Sequence, residues 1–208
     1  MRIVPLPRAF YEPSARVVAP ELLGHWLIRR TPQGICGGPI VETEAYLQGD
    51  PACHAAPGLT ARNRVMFGQP GHAYVYFIYG AHYCVNAVCQ PVGSAEAVLI
   101  RAIEAEFGEP LLKKQRRAVS RHSLTNGPAK LCEAMAIDRS LDGTDLCEPR
   151  SSLLIALNPE RAFFVKERGP LLTGTRIGIT KAAELPLRFL LAQSPFVSRA
   201  TGSSRRKS

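Results

Sequence analysis

Between Pro39 and Arg101 the chain crowds together groups suited to holding a flat, electron-poor ring while water attacks beside it. Glu42, Glu44 and Tyr46 stand at i, i+2 and i+4, a spacing that puts all three on one face of a strand, with Val41, Thr43 and Ala45 on the other. His54, Arg62 and Arg64 follow, then the run Tyr74-Val75-Tyr76-Phe77-Ile78-Tyr79-Gly80, and the segment closes on Leu99-Ile100-Arg101. Carboxylates can activate water, aromatic plates can hold a flat electron-poor ring, and guanidinium groups can anchor either acid or phosphate. Two neighbouring carboxylates on a strand repel each other, which suits a reactive face better than a purely structural one. The competing reading of the same spacing is an exposed sheet surface, and spacing alone does not say which glutamate is reactive.

The aromatic residues divide by position. Tyr74, Phe77 and Tyr83 read as core and cross-strand filler. Tyr79 sits beside Gly80 at the turn between two strands, where burial is difficult, and an exposed ring there suits a wedge between base pairs. Six cysteines (36, 53, 84, 89, 132 and 147) include no Cys-x-x-Cys pair, so they read as free thiols rather than a zinc framework or a disulfide scaffold.

The elements that position these groups follow from local pattern. Ser14 caps a short helix that runs to Leu23 and stops at Gly24. His25–Arg30 and Gly38–Tyr46 read as a hairpin, 47–72 as a long functional loop, and Ala73–Ile78 with His82–Cys89 as a second hairpin. Ala95–Glu104 is a further strand. Asn126 caps a helix that opens at Pro128 and ends near Met135, and Leu185–Leu191 is the last strand. Strands and helices do not alternate as βαβ units. The expected fold is therefore α+β, a single domain over 1–198 with a curved, mostly antiparallel β-sheet core, flanking helices and a protruding hairpin, followed by a basic tail at 199–208.

A chain of 208 residues with 46% hydrophobic and 21% charged residues supports one buried core. The net charge of +9 points to a polyanionic partner. Residues 1–104 carry a surplus of one positive charge and no lysine, whereas 105–208 carry a surplus of eight. Lys113, Lys114, Arg116, Arg117 and Arg121 form a run without an intervening acid, suited to phosphate contact or to simple solvation. No apolar stretch approaches spanning length, Met1–Phe10 lacks the apolar core of a secretory signal, and no membrane partner is expected.

Taken in order and spacing, Glu42-Thr43-Glu44-Ala45-Tyr46, His54, Arg62-Asn63-Arg64-Val65-Met66-Phe67, Tyr74–Gly80, Asn86 and Leu99-Ile100-Arg101 resemble the core of the alkyladenine (3-methyladenine) DNA glycosylases. Asn126–Cys132 and Ser194–Ser198 resemble that family's distal blocks, so the resemblance spans about Ala19 to Ser198. Departures are a slightly shorter Tyr46–His54 loop and the residues at Leu187 and Gln193, which bear on substrate preference rather than reaction class.

The resemblance implies an enzyme that flips alkylated or deaminated purines from duplex DNA and hydrolyses the N-glycosidic bond. It implies Glu44 as general base, with Arg101 beside the water or phosphate. Tyr46, His54 and Tyr76 would stack on the base, Asn86 would exclude the amine of normal guanine, and Tyr79 would fill the gap in the duplex. Arg62, Arg64, Lys113, Lys114, Arg116 and Arg117 are the candidates for backbone contact. The expected partner is double-stranded DNA containing damaged purines, engaged by a monomer with no metal or other cofactor. The expected location is cytoplasm or nucleoid in a bacterium and nucleus in a eukaryote. The rival classes are a non-catalytic reader of damaged bases and a general nucleic-acid-binding module.

A glycosylase that also cuts the strand needs an amine to form an imine, and Pro39–Arg101 contains no lysine. Borohydride added during turnover should therefore trap no protein–DNA adduct, and the product should be abasic DNA; a stable adduct would overturn simple hydrolysis.

Overall fold

The computed structural model describes residues 3–117 and 120–198, and the basic tail at 199–208 lies outside the described residues. The described elements are, in order, α1 (Ala15–Glu21), β1 (Trp26–Thr31), β2 (Gly34–Tyr46), β3 (Ala73–Ile78), β4 (His82–Cys89), β5 (Glu96–Ile103), α2 (Glu109–Gln115), α3 (Pro128–Ala134), β6 (Leu153–Ala156), α4 (Arg161–Glu167), β7 (Leu171–Gly174) and β8 (Arg188–Leu191). Eight strands form a single sheet in the order β3-β4-β5-β2-β1-β6, with β8 also paired to β2 and β7 to β8. All the pairings are antiparallel. The α+β class and the β3–β4 hairpin are as the sequence implies.

Thirteen-residue β2 organises the sheet. Its first half, Gly34 to Pro39, pairs with β1. Its second half pairs with β5 on one side and, from Glu42 to Glu44, with β8 on the other. The strand can change partners because Gly37 and Gly38 lie against neighbouring backbone. A Cβ at Gly38 would stand 1.8 Å from the Glu104 carbonyl oxygen, and one at Gly37 2.0 Å from that of Leu27. These glycines therefore sit within the strand rather than in the turn. That corrects the expected start at Gly38, since pairing begins at Thr31 with Gly34.

Side-chain alternation gives the β3-β4-β5-β2 portion two different faces. One face presents Val75, Val85, Ala87, Val98, Ile100 and Ala45 to the main core beneath α1 and α3. The other carries Tyr74, Tyr76, Cys84, Val88, Ala97 and Leu99 in a second cluster. Register aligns Tyr74 with Asn86, Asn86 with Leu99, Leu99 with Glu44 and Glu44 with Arg188, one row running across five strands.

Local chemistry fixes the helices. The Ser14 hydroxyl caps α1 by accepting from the Arg16 amide, and it donates to Glu96, whose carboxylate also takes the Ala15 amide at 2.7 Å. Gly24, at φ 84°, ends this segment in a conformation suited to glycine. Pro128 opens α3 as expected, but Asn126 is not its cap. Asn126 forms a bridge to Ala102, and its side-chain oxygen accepts from Lys130 Nζ. The sequence reading assigned no element to α2, α4, β6 or β7; the two strands have only four residues each, too few for a period to register.

Gly38→Ala should lower stability by about 2 kcal/mol or more, because the clash is with backbone and the neighbour cannot move as a flexible side chain would. Chemical denaturation with an intact-fold check by circular dichroism measures this; a midpoint unchanged from the parent would refute the close-approach account.

Candidate active site

Both glutamates of the Glu42-Thr43-Glu44 stretch are fully buried, at 0% exposure. The exposed-surface reading is thereby excluded, and the two carboxylates must be compensated internally. Arg101 on β5 does much of this. Its Nε meets Glu42 Oε1 at 2.9 Å, its Nη1 lies 3.1 Å from Glu44 Oε1, and its Nη2 reaches the Ser198 hydroxyl at 3.2 Å. Arg188 of β8 adds a second guanidinium to Glu42 at 2.6 Å, and the Ser198 amide donates to the same carboxylate at 2.7 Å. Although burial works against its charge, the carboxylates of Glu44 and Glu42 together hold the Arg101 guanidinium above its ordinary pKa.

The two acids have different surroundings. Glu42 is enclosed by Arg101, Arg188 and Ser198. Among the described residues, Glu44 Oε1 takes Arg101 and the Ile177 amide (2.7 Å), while Oε2 accepts only the Tyr46 hydroxyl, at 2.9 Å. Burial, and then the adjoining Glu44, push the Tyr46 phenol pKa far up, so it acts as a donor.

A cavity of about 320 Å³ opens over this cluster. Tyr46, His54, Tyr76, Tyr79, Asn86 and Arg101 all line it, as do Tyr74, Cys84, Leu99, Ala129 and Ile177. The Glu44 carboxylate itself stands one hydrogen bond behind the wall, reached through Tyr46, Arg101 and Ile177. His54 and Tyr76 meet edge to face with centroids 4.3 Å apart, and the Arg62 guanidinium lies 5.8 Å from the Tyr76 ring. Asn86 donates to the Tyr74 carbonyl at 3.0 Å, which fixes the amide in the wall. Among the described residues, no lysine lines the cavity.

Three assignments require correction or addition. Tyr74 is buried in the second cluster, but it also lines the cavity and its hydroxyl lies 2.9 Å from His54 Nδ1. Phe77 does pair across the hairpin with Tyr83, yet it is 46% exposed and so is not core. The Ile177–Ile179 wall went unread in the sequence, because it lies far along the chain and carries no reactive side chain. Tyr79 is 79% exposed, with φ 53°, at the tip of the β3–β4 hairpin and at the cavity mouth.

The basic run is not gathered at this cavity. Lys113 pairs with Glu109 on α2, Arg116 with Glu133 on α3, and Arg121 with Glu109. Exposed Arg64 stands on a 3-10 turn, Arg64–Phe67. All six cysteines are free, and among the described residues no cluster of His, Cys, Asp or Glu is arranged to hold a metal ion. No helix among them is long and apolar enough to cross a membrane.

The family model for methylpurine-DNA glycosylase (MPG) matches residues 9–195. A protein of Koribacter versatilis, provisionally named 3-methyladenine DNA glycosylase, is 46% identical over 206 residues, covering 95% of this chain and 94% of the relative. Similarly named proteins of Carboxydothermus hydrogenoformans and Methanoculleus marisnigri are each 47% identical over 194 residues, covering 93% of this chain and 98% of the relative.

Burial first, and then the nearby Arg62 charge, lower the His54 pKa below its ordinary 6.5, leaving a neutral imidazole in the wall at pH 7. Because the folded value is depressed, this group's contribution to stability is present above the unfolded value and is lost as pH falls through the folded one. In an NMR titration His54 should have its midpoint below 6.5, and Arg62→Gln should move it part of the way back. A midpoint at or above 6.5 in the parent would contradict this environment.

Proposed function

The chain belongs to the methylpurine-DNA glycosylase family, and we propose that it hydrolyses the N-glycosidic bond of alkylated purines such as 3-methyladenine in duplex DNA, leaving an abasic site. The observation that carries this reading is the Glu44 carboxylate, held by Arg101, Tyr46 and the Ile177 amide directly behind an aromatic cavity. The cavity volume of about 320 Å³ falls in the range of about 300–1,000 Å³ typical of small-ligand sites.

The target purine leaves the stack and enters between Tyr46, His54 and Tyr76. A 3-methyladenine or 7-methylguanine base is already cationic, so aromatic faces favour it and a neutral His54 adds no like charge. It departs as a neutral ring and needs little help from an acid. One carboxylate can then suffice where many glycoside hydrolases use two. Among the described residues, Glu44 Oε2 has a single partner, Tyr46, and a carboxylate oxygen can accept more than one hydrogen bond. This leaves Oε2 as the atom that takes the proton of the attacking water. Arg101 and the Ile177 amide orient Glu44 through its other oxygen, Oε1. A neutral deaminated purine must gain a proton on leaving, so its release is the more pH-sensitive.

Outside the cavity, Tyr79 occupies the space that the flipped nucleotide vacates, since its exposed ring is carried at the tip of the hairpin. Asn86, fixed by Tyr74, narrows the cavity against the exocyclic amine of guanine. Arg62 and Arg64 hold phosphates near the cavity, while Lys113, Lys114, Arg116 and Arg117 contribute a sequence-independent attraction.

Release of free base from alkylated duplex tests the proposal. Wild type should release it, and Glu44→Gln should slow single-turnover release by roughly 10²-fold or more while damaged duplex is still bound. Specific binding without release by the wild type would identify a reader instead, and near-normal release by Glu44→Gln would remove Glu44 as the base.

A further inference from the structure

A second buried ion pair lies behind the aromatic wall. The side chains of Arg176 and Asp50 are 0% and 3% exposed and form a bidentate pair, with Nη2 to Oδ1 at 3.1 Å. Arg176 Nη1 also donates to the carbonyl of Ala45, the residue between Glu44 and Tyr46, and its Nη2 to that of Ala182. The guanidinium carbon stands over the Tyr46 ring at 4.7 Å from its centroid. Tyr46 lines the cavity and Arg176 does not, so the cation covers the ring from the side away from the cavity.

We propose that the Asp50–Arg176 pair is a specificity device, in which the balance of two charges behind Tyr46 sets how strongly the cavity prefers a cationic damaged purine over a neutral one. This rests on the reading that the cavity takes a flipped purine against Tyr46. A base stacked on the front of the ring would be about 8 Å from the guanidinium carbon, given a stacking contact near 3.5 Å. Two like charges at that separation in a partly buried site repel appreciably. Asp50, bound to two guanidinium nitrogens, offsets the charge, so Tyr46 can serve a cationic base while still being buttressed by Arg176. Burial alone requires the Arg176 cation to have a counterion, so the two roles differ in their effect: breaking a purely mechanical buttress would affect every base alike, whereas unbalancing the charge would separate cationic from neutral bases.

The test uses the full-length protein with Glu44→Gln as a common background, so that substrate survives the binding measurement. Affinities are measured for duplexes carrying cationic 7-methylguanine, neutral ethenoadenine, or no damage. Asp50→Asn leaves the Arg176 charge without its counterion and should weaken the cationic duplex relative to the neutral one by roughly tenfold. Arg176→Gln leaves the opposite charge and should shift the ratio the other way. The double variant Asp50→Asn/Arg176→Gln restores neutrality and should return the ratio close to that of the background protein. If Asp50→Asn does not fold, the contrast between Arg176→Gln and the double variant still measures the charge effect.

Equal losses on both damaged duplexes in every variant would overturn the proposal and make the pair a mechanical clamp. Base release by the otherwise wild-type chain is assayed in parallel. Absence of release, with no preference for either damaged duplex over undamaged DNA, would bring down the underlying functional reading together with this inference. Release by wild type with an unmoved cationic-to-neutral ratio would defeat the inference alone.

Discussion

Two fully buried carboxylates, two residues apart on one strand, are the constraint around which this molecule is arranged. Leaving either charge unpaired in such a place would cost several kcal/mol, more than most single interactions in a protein contribute. Compensation comes from Arg101 on β5, Arg188 on β8 and Ser198 beyond β8. The sheet order follows the same need. β2 lies between β5 and β8, so guanidinium groups approach the acids from both sides. The glycines at 37 and 38 let β2 leave β1 and enter that position without a steric conflict.

That arrangement also separates the tasks of the two acids. Glu42 is saturated by groups that tie the C-terminal segment to the sheet. Among the described residues, Glu44 Oε2 is engaged only by the hydroxyl of Tyr46, which itself lines the aromatic cavity. In a hydrolytic reading, Glu42 has a structural task of its own: it shares Arg101, so that this cation does not fall wholly on Glu44. The same principle recurs behind Tyr46, where Asp50 offsets Arg176. Charge in this interior is balanced locally.

The surface is organised differently. Lys113, Arg116 and Arg121 form pairs at or near the surface between α2, α3 and the loop following α2, and such pairs contribute little to stability. The chain as a whole still carries a net charge of +9. Tyr79, at the turn between β3 and β4, is largely exposed and has a positive φ, which is uncommon for residues other than glycine.

By itself the sequence determined the α+β class, the two central hairpins, the α1 cap and the shared face of Glu42, Glu44 and Tyr46, because these depend on periodicity and on local hydrogen bonds. The order and spacing of its motifs also carried the resemblance to a family. Tertiary structure alone decided that both glutamates are buried, because burial depends on what packs against a face and not on which residues form it. It likewise gave Tyr74 a place in the cavity wall, brought the Ile177 amide to Glu44, placed Arg176 behind Tyr46 and carried the basic run away from the cavity. Those contacts join segments up to 133 residues apart. No local pattern encodes such a pairing, since the chain between its ends sets only the cost of closing the loop, while the partner is chosen by the packing of the whole sheet.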